Sequence, residues 1–166
     1  MKKFIVFAGL FLMFITNLYA GESATPQEVF EMVLKGATVM ENLGEEGLQA
    51  FNDPKGEFAW KDTYVQVYNC EARQTVGHPN ATYLKFTPEQ WWNTQDKKGT
   101  YLTRLLCEAS KDPNGGGVEY WWPKPGETEP SRKITFIIQV PGQPYQVSAG
   151  IYDDKISLEE LKKMSM

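Results

Sequence analysis

The sequence contains few of the residues that most often carry enzymatic or metal chemistry. It has one histidine, His78, and two cysteines, Cys70 and Cys107. Two widely separated cysteines do not give the Cys-x-x-Cys spacing of a zinc site. The Gly-x-Ser-x-Gly elbow, the P-loop and the dinucleotide fingerprint are also missing. We therefore expect no catalytic residues, no metal and no cofactor, and we predict that the protein is not an enzyme; a small hydrolase is the enzymatic alternative.

Positive charge is also scarce in this chain. It has 17 Lys and Arg residues against 21 Asp and Glu residues, a formal net charge of −4. A nucleic-acid-binding domain needs a basic stripe that neutralises phosphates, so we expect no nucleic-acid partner. An acidic surface does not exclude a small anionic ligand, because one buried cation can dominate the field inside a pocket.

One long hydrophobic run is present, at the N-terminus. Two lysines precede the apolar residues 4–15, and Ala20 is a small residue suited to cleavage. This pattern predicts a signal peptide over residues 1–20. An uncleaved anchor is the alternative, but about 12 apolar residues are short for a span, which needs about 20. We expect a bacterial periplasmic or secreted protein whose mature chain, residues 21–166, is one domain without a membrane span.

The two cysteines favour a disulfide if the chain is exported. An even pair in an oxidising compartment is usually bonded. A Cys70–Cys107 bond would join residues separated by 37 positions. The loop-entropy relation gives such a bond about 4 kcal/mol of stabilisation. Two buried free thiols are the alternative.

Periodic patterns along the chain predict an α+β domain. Thr25, Pro26 and Glu28 form a capping box that starts a helix, and apolar residues from Val29 to Leu43 follow the helical repeat. Short alternating runs between turn residues predict five antiparallel strands, which together with the helix make an α+β arrangement. The strands are predicted at residues 63–68, 74–77, 118–122, 133–140 and 145–151, and shorter helices at 47–51, 100–111 and 157–163.

Four stretches, in order and at matching spacing, carry a resemblance to a known family. They are residues 50–58 (AFNDPKGEF), 64–68 with 78–80 (YVQVY and HPN), 118–125 (VEYWWPKP), and 133–136 with 150–152 (KITF and GIY). As a set, they make the chain similar to the single Cache domain, the extracytoplasmic small-molecule sensor of bacterial receptors. The resemblance implies a long N-terminal helix packed on a five-stranded antiparallel PAS-like sheet.

The resemblance also implies a function. It implies a periplasmic sensor that binds a short organic carboxylate such as acetate, propionate, lactate or pyruvate. No hydrophobic segment follows the last predicted strand, so we expect a separate membrane receptor, histidine kinase or transporter to be the partner. The alternative is a protein–protein adaptor with a Cache fold and no free ligand. That alternative depends on four tryptophans, which exceed the needs of a small core: Trp91, Trp92, Trp121 and Trp122.

Four of the six candidate ligand-binding residues lie in predicted strands or directly after one. Lys133 matches the family lysine that opens a strand and meets the ligand carboxylate, which would make a charge-assisted pair. The alternative is that Lys133 only caps the end of a strand and is exposed to water. Tyr120 and Trp122 share one strand face, and they either wall the pocket or fill the core. His78 matches the family's His-Pro pair, and it either contacts the ligand or stabilises a turn.

The other two candidates lie between the predicted strands. Trp91 belongs to the loop-rich segment that we expect to cover the sheet. Arg104 lies on the helix that follows this segment. A guanidinium can bind a carboxylate through two parallel hydrogen bonds, although arginines on helices are usually solvated.

Overall fold

The computed structural model describes residues 22–153 and 155–163. The predicted signal peptide lies outside these described residues. Within the described part of the chain, no helix is both long enough and apolar enough to cross a membrane.

The first element is the long helix α1, Pro26–Leu43, which begins where the sequence predicts. The Thr25 hydroxyl accepts a hydrogen bond from the Glu28 amide at 3.2 Å, and the Glu28 carboxylate accepts one from the Thr25 amide at 2.8 Å. Both hydrogen bonds of the predicted capping box are therefore present. The helix buries one stripe of residues: Val29, Val33, Gly36, Ala37 and Met40.

Leu43 does not continue this buried stripe, because the helix ends there. Its side chain is 53% exposed. Gly44 has a φ of +53°, a conformation that glycine adopts more readily than other residues. The chain turns at Gly44 and continues as a 3-10 helix, Gly44–Phe51.

The sheet is antiparallel and has six strands. They are β1 (Ala59–Trp60), β2 (Thr63–Asn69), β3 (Gln74–Gly77), β4 (Gly116–Pro123), β5 (Pro130–Gln139) and β6 (Gln146–Ile151). The strand order is β1-β2-β6-β5-β4, with β3 paired to β2 outside this path. All five predicted strands are present. The sixth, β1, has two residues and is too short to produce an alternating pattern.

The helix α1 packs on one face of the sheet through apolar side chains of β2, β5 and β6. Gly36 allows the helix to approach closely, because a Cβ atom at this position would lie 3.0 Å from Val147 Cγ1. This layer is the larger hydrophobic core of the domain. Its strand residues are Val65, Val67, Ile134, Phe136, Val147, Ala149 and Ile151.

Short helices between β3 and β4 cover the opposite face, and we call them the lid. A disulfide between Cys70 and Cys107, with Cα atoms 5.8 Å apart, joins the residue after β2 to the lid. The cysteines are therefore bonded rather than free. The last helix, α4 (Leu158–Lys163), packs on β4 and β5. The lid consists of a 3-10 turn (Tyr83–Lys85), α2 (Pro88–Trp92) and α3 (Leu102–Ala109).

Candidate ligand-binding site

Alternation along the strands makes the sheet face beneath the lid polar and aromatic. In β2, Val65 and Val67 face α1, whereas Tyr64, Gln66 and Tyr68 face the lid. Burial of a polar group costs free energy unless the group is paired, so this face is the candidate site. The same face carries three fully buried polar side chains from β5 and β6: Lys133, Thr135 and Ser148.

Lys133 is the most unusual residue of this face. Its side chain is 0% exposed, and none of the residues that the structure describes forms a hydrogen bond with its Nζ atom. Nζ lies 4.2 Å from the centroid of the Tyr64 ring and 4.7 Å from that of Tyr152, so the ammonium makes cation–π contacts. Burial lowers the pKa of Lys133 to about 7, and the negative charge of Asp62 opposes this shift.

Tyr120 lies directly beside Lys133 in the pairing of β4 with β5. It is 3% exposed, and its hydroxyl lies 2.8 Å from the Thr135 hydroxyl. Burial raises the pKa of Tyr120 to about 12, so the phenol is neutral at physiological pH. The neutral hydroxyl can both donate and accept a hydrogen bond.

His78 is buried and neutral at the edge of this face. Its ring lies between Tyr64 and Tyr83, with a centroid distance of 4.5 Å to each. Nδ1 accepts a hydrogen bond from the Asn80 amide at 2.8 Å, so the proton of the neutral ring lies on Nε2. Burial, and then the charge of Lys133, lowers the pKa of His78 to about 3. The imidazole therefore offers an N–H donor without a positive charge.

Trp91 and Trp122 pack against this face from different elements. Trp91 comes from the lid, is 2% exposed, and donates its indole N–H to Thr75 Oγ1 at 2.9 Å. Its ring meets Tyr68 edge-on at 5.4 Å. Trp122, at the end of β4, is half-buried, and its ring centroid lies 6.4 Å from that of Tyr120.

Two spaces adjoin these residues. The first, which we call the inner void, lies between the sheet and the lid and has a volume of about 30 Å³. The second, which we call the outer cleft, opens beside β1 and the turn after β4 and has a volume of about 390 Å³. Tyr120 and Trp91 line the inner void. Four residues line both spaces and form their common boundary: Tyr64, His78, Tyr83 and Trp122.

The structure therefore brings five of the six predicted residues together. Tyr120, Trp122, His78 and Trp91 line one or both spaces. Lys133 lines neither, but its ammonium lies against the ring of Tyr64, which lines both.

Arg104 is placed elsewhere. Its Nε donates to the Trp92 carbonyl at 2.9 Å, and its Nη2 donates to Asn93 Oδ1 at 2.7 Å. The guanidinium also lies 3.9 Å from the centroid of the Tyr101 ring. These contacts fix the junction of α2 and α3, and Arg104 lines neither the inner void nor the outer cleft.

The four tryptophans of the adaptor alternative do not form an exposed patch. Trp91 is buried, and Trp92, Trp121 and Trp122 are half-buried. Basic side chains cover two of them, since Arg73 lies 4.6 Å from the ring centroid of Trp92 and the Lys98 ammonium lies 4.3 Å from that of Trp121.

The candidate site also contains three tyrosines that were not predicted from the sequence. Tyr64 follows the alternation of β2, so the pattern could have identified it. Tyr152 contacts Lys133 because β5 pairs with β6, and this register is not visible in the sequence. Tyr83 lies in a 3-10 turn without any periodic signal. Among the described residues, no group of three or more His, Cys, Asp or Glu side chains could hold a metal ion.

A long helix on one face of an antiparallel sheet and a polar, aromatic cavity under short helices on the other face define a PAS-like ligand-binding domain. The chain matches the family model of single Cache domain 2 over residues 29–165. The protein therefore belongs to the single Cache domain family. Cache domains are extracytoplasmic sensor modules that bind small molecules.

Solved structures share this fold. One is a Cache chemosensory domain studied for carboxylic acid recognition, which is 19% identical over 77% of this chain and 92% of its own, with a TM-score of 0.61. A methyl-accepting chemotaxis protein from Vibrio parahaemolyticus is 18% identical over 79% of this chain and 90% of its own, with a TM-score of 0.62. A periplasmic sensor domain of a chemotaxis protein is 23% identical over 78% and 90% of the two chains, with a TM-score of 0.56.

Proposed function

We propose that this protein is a sensor domain that binds a small organic carboxylate, with the carboxylate paired to Lys133. The observation that carries the proposal is the fully buried ammonium without a hydrogen-bond partner among the described residues. An isolated buried cation is costly, and a ligand carboxylate would supply the missing countercharge. Tyr120 and His78 add neutral hydrogen-bond donors to the same face.

Binding at Lys133 requires a rearrangement at Tyr64. The ammonium is fully buried, and it lies 4.2 Å from the centroid of the Tyr64 ring, which lines both spaces. A carboxylate that displaces this ring exchanges a cation–π contact for a charge-assisted hydrogen bond, which is the stronger interaction. Movement of Tyr64 would also disturb His78, whose ring packs on it. In this way ligand binding changes the common boundary of the inner void and the outer cleft.

The proposed location is the periplasm or the exterior of a bacterial cell, with a separate membrane receptor, histidine kinase or transporter as the partner. This part of the proposal is supported by the signal-peptide pattern of residues 1–20. Further support comes from solved domains of the same fold that belong to chemotaxis proteins.

Native mass spectrometry of the protein, purified without added carboxylates, tests the ligand class. Acetate, propionate, lactate and pyruvate are then added one at a time to the native protein and to Lys133→Met, which has an unbranched side chain one atom shorter and without the charge. Lys35→Met is the matched control, because Lys35 is an exposed residue of α1 on the opposite face and pairs with Glu57.

We expect an acid adduct on the native protein and on Lys35→Met, and none on Lys133→Met. The proposal is overturned if Lys133→Met retains the adduct, or if none of the acids binds the native protein at millimolar concentration. Far-ultraviolet circular dichroism of each variant shows that loss of the adduct does not come from unfolding.

A further inference from the structure

The sizes of the two spaces set a limit on how the ligand is accommodated. The inner void of about 30 Å³ has room for one water molecule, so it cannot hold a whole organic acid. The outer cleft of about 390 Å³ falls within the range of small-molecule pockets, roughly 300–1,000 Å³. The two spaces share Tyr64, and this is the ring that contacts the Lys133 ammonium.

The lining of the outer cleft is suited to an apolar group. Four prolines contribute to its walls, together with the aromatic side chains of Trp60, Tyr64, Tyr83 and Trp122. Aromatic rings pack on such surfaces in offset or edge-on arrangements, and these pairs add to the energy of apolar burial.

The charged residues of the outer cleft do not favour a second anionic group. Two lysines line it, and both are paired with carboxylates: Lys61 with Glu28 at 2.7 Å, and Lys124 with Asp62 at 3.2 Å. The third charged residue of the lining is the acidic Glu127. A ligand with one carboxylate at Lys133 and an uncharged remainder fits this distribution of charge.

We infer that the ligand is a monocarboxylate with an aromatic tail, whose carboxylate pairs with Lys133 and whose ring lies in the outer cleft beside Tyr83 and Trp122. The inference rests on the proposed function, because it takes Lys133 as the site of the carboxylate. The tail of the ligand has to pass the position of the Tyr64 ring, because this ring contacts the ammonium and also lines the cleft.

Isothermal titration calorimetry with two probes tests this inference. Propionate and 3-phenylpropionate have the same carboxylate and differ by one ring on the third carbon. We expect 3-phenylpropionate to bind the native protein at least about tenfold more tightly, because ring burial and stacking together exceed the energy of one factor of ten. Both acids should lose binding in Lys133→Met.

Failure of the inference and failure of the proposed function give different results. If propionate binds through Lys133 and 3-phenylpropionate binds equally or more weakly, the aromatic-tail inference is overturned and the carboxylate proposal stands. If neither acid binds, the aromatic-tail inference is overturned, and the mass spectrometry with acetate, lactate and pyruvate decides the carboxylate proposal.

A substitution that fills the outer cleft locates the ring. Ala59 lines the cleft and is half-buried, so Ala59→Phe places a phenyl group in the space that the ligand ring would occupy. We expect this variant to bind 3-phenylpropionate no more tightly than propionate, so that the preference of the native protein for the aromatic acid is lost. Ala72→Phe is the matched control, because Ala72 is exposed and lines neither space.

Nuclear magnetic resonance of the native protein gives a second readout that does not depend on folding of Ala59→Phe. The indole N–H signal of Trp60, assigned with Trp60→Phe, should shift when 3-phenylpropionate binds and stay in place when propionate binds. An unchanged Trp60 signal at saturating 3-phenylpropionate would place the ring elsewhere and overturn the inference.

Discussion

The side chain of Lys133 packs over Gly150 of the neighbouring strand β6. A Cβ atom on Gly150 would lie 2.5 Å from Lys133 Cε and 2.9 Å from the Ile134 carbonyl oxygen, and it would also collide with Thr135 Oγ1. The missing side chain at Gly150 therefore leaves the path along which the lysine reaches the Tyr64 ring. The buried cation depends on a glycine of the neighbouring strand as well as on its own position.

Gly150→Ala should therefore destabilise the protein. Overpacking of a buried site costs about 1–3 kcal/mol, and we expect a loss of this size in the free energy of unfolding measured by urea denaturation. The double variant Gly150→Ala with Lys133→Ala should recover part of the loss, because one of the colliding side chains is then removed. An unchanged unfolding midpoint in Gly150→Ala would contradict the close contact.

The disulfide should contribute measurably to stability. The loop-entropy relation gives a bond between residues 37 positions apart about 4 kcal/mol, and measured values are typically about 2–4 kcal/mol. The double variant Cys70→Ser with Cys107→Ser should lose stability in this range in urea denaturation. Dithiothreitol should lower the midpoint of the native protein towards that of the variant and leave the variant unchanged. A native protein that is insensitive to reduction would show that the bond is not formed.

Burial of Lys133 should make stability depend on pH. Its pKa is about 7 in the folded protein, whereas the ordinary pKa of a lysine side chain is 10.5, so the unfolded chain binds more protons between these values. Stability must rise with pH in this window, by at most about 1.4 kcal/mol per unit, and the full cost of the buried charge is present below pH 7.

The range from pH 7 to 9 isolates this effect. The pKa of His78 is lowered to about 3, so His78 changes the free energy of unfolding only below pH 6.5, the ordinary pKa of histidine. The raised pKa values of Tyr64 and Tyr120 affect stability only near and above pH 10. Urea denaturation from pH 7 to 9 should therefore give a rising stability for the native protein and a flat one for Lys133→Met. Parallel profiles for the two proteins would contradict the lowered pKa.

Local patterns were sufficient to predict most of the architecture. The capping box at Thr25 and Glu28 and the alternation of β2 both act between near neighbours in sequence, and the structure confirms both elements. The exposed Leu43 and the two-residue β1 were not predicted, because a helix end and a single bridge carry almost no periodic signal.

The candidate site was less predictable, since it depends on contacts between distant segments. The family resemblance points to Lys133, but the contact of Lys133 with Tyr152 follows from the pairing of β5 with β6. Arg104 lies on the predicted helix, and yet its direction is set by the junction with α2, where it binds the Trp92 carbonyl. Sequence patterns give the face of an element and do not give the neighbour that this face meets.

The affinity for a carboxylate should fall as pH rises above about 7. Only the protonated amine of Lys133 carries a charge, and its pKa in the unliganded protein is about 7. Simple carboxylic acids, with pKa values of about 4 to 5, remain ionised from pH 6 upward. The dissociation constant should therefore be constant below pH 7 and should increase by up to about tenfold per unit above it, because each binding event then takes up a proton.

Calorimetry in two buffers of different ionisation enthalpy measures this proton uptake directly. We expect close to one proton per bound propionate at pH 8.5 and much less at pH 6. The control Lys35→Met should behave as the native protein, since its substitution lies on the opposite face of the domain. A dissociation constant that stays constant from pH 6 to 9, with no uptake of protons, would mean that the carboxylate does not pair with Lys133, whatever its affinity.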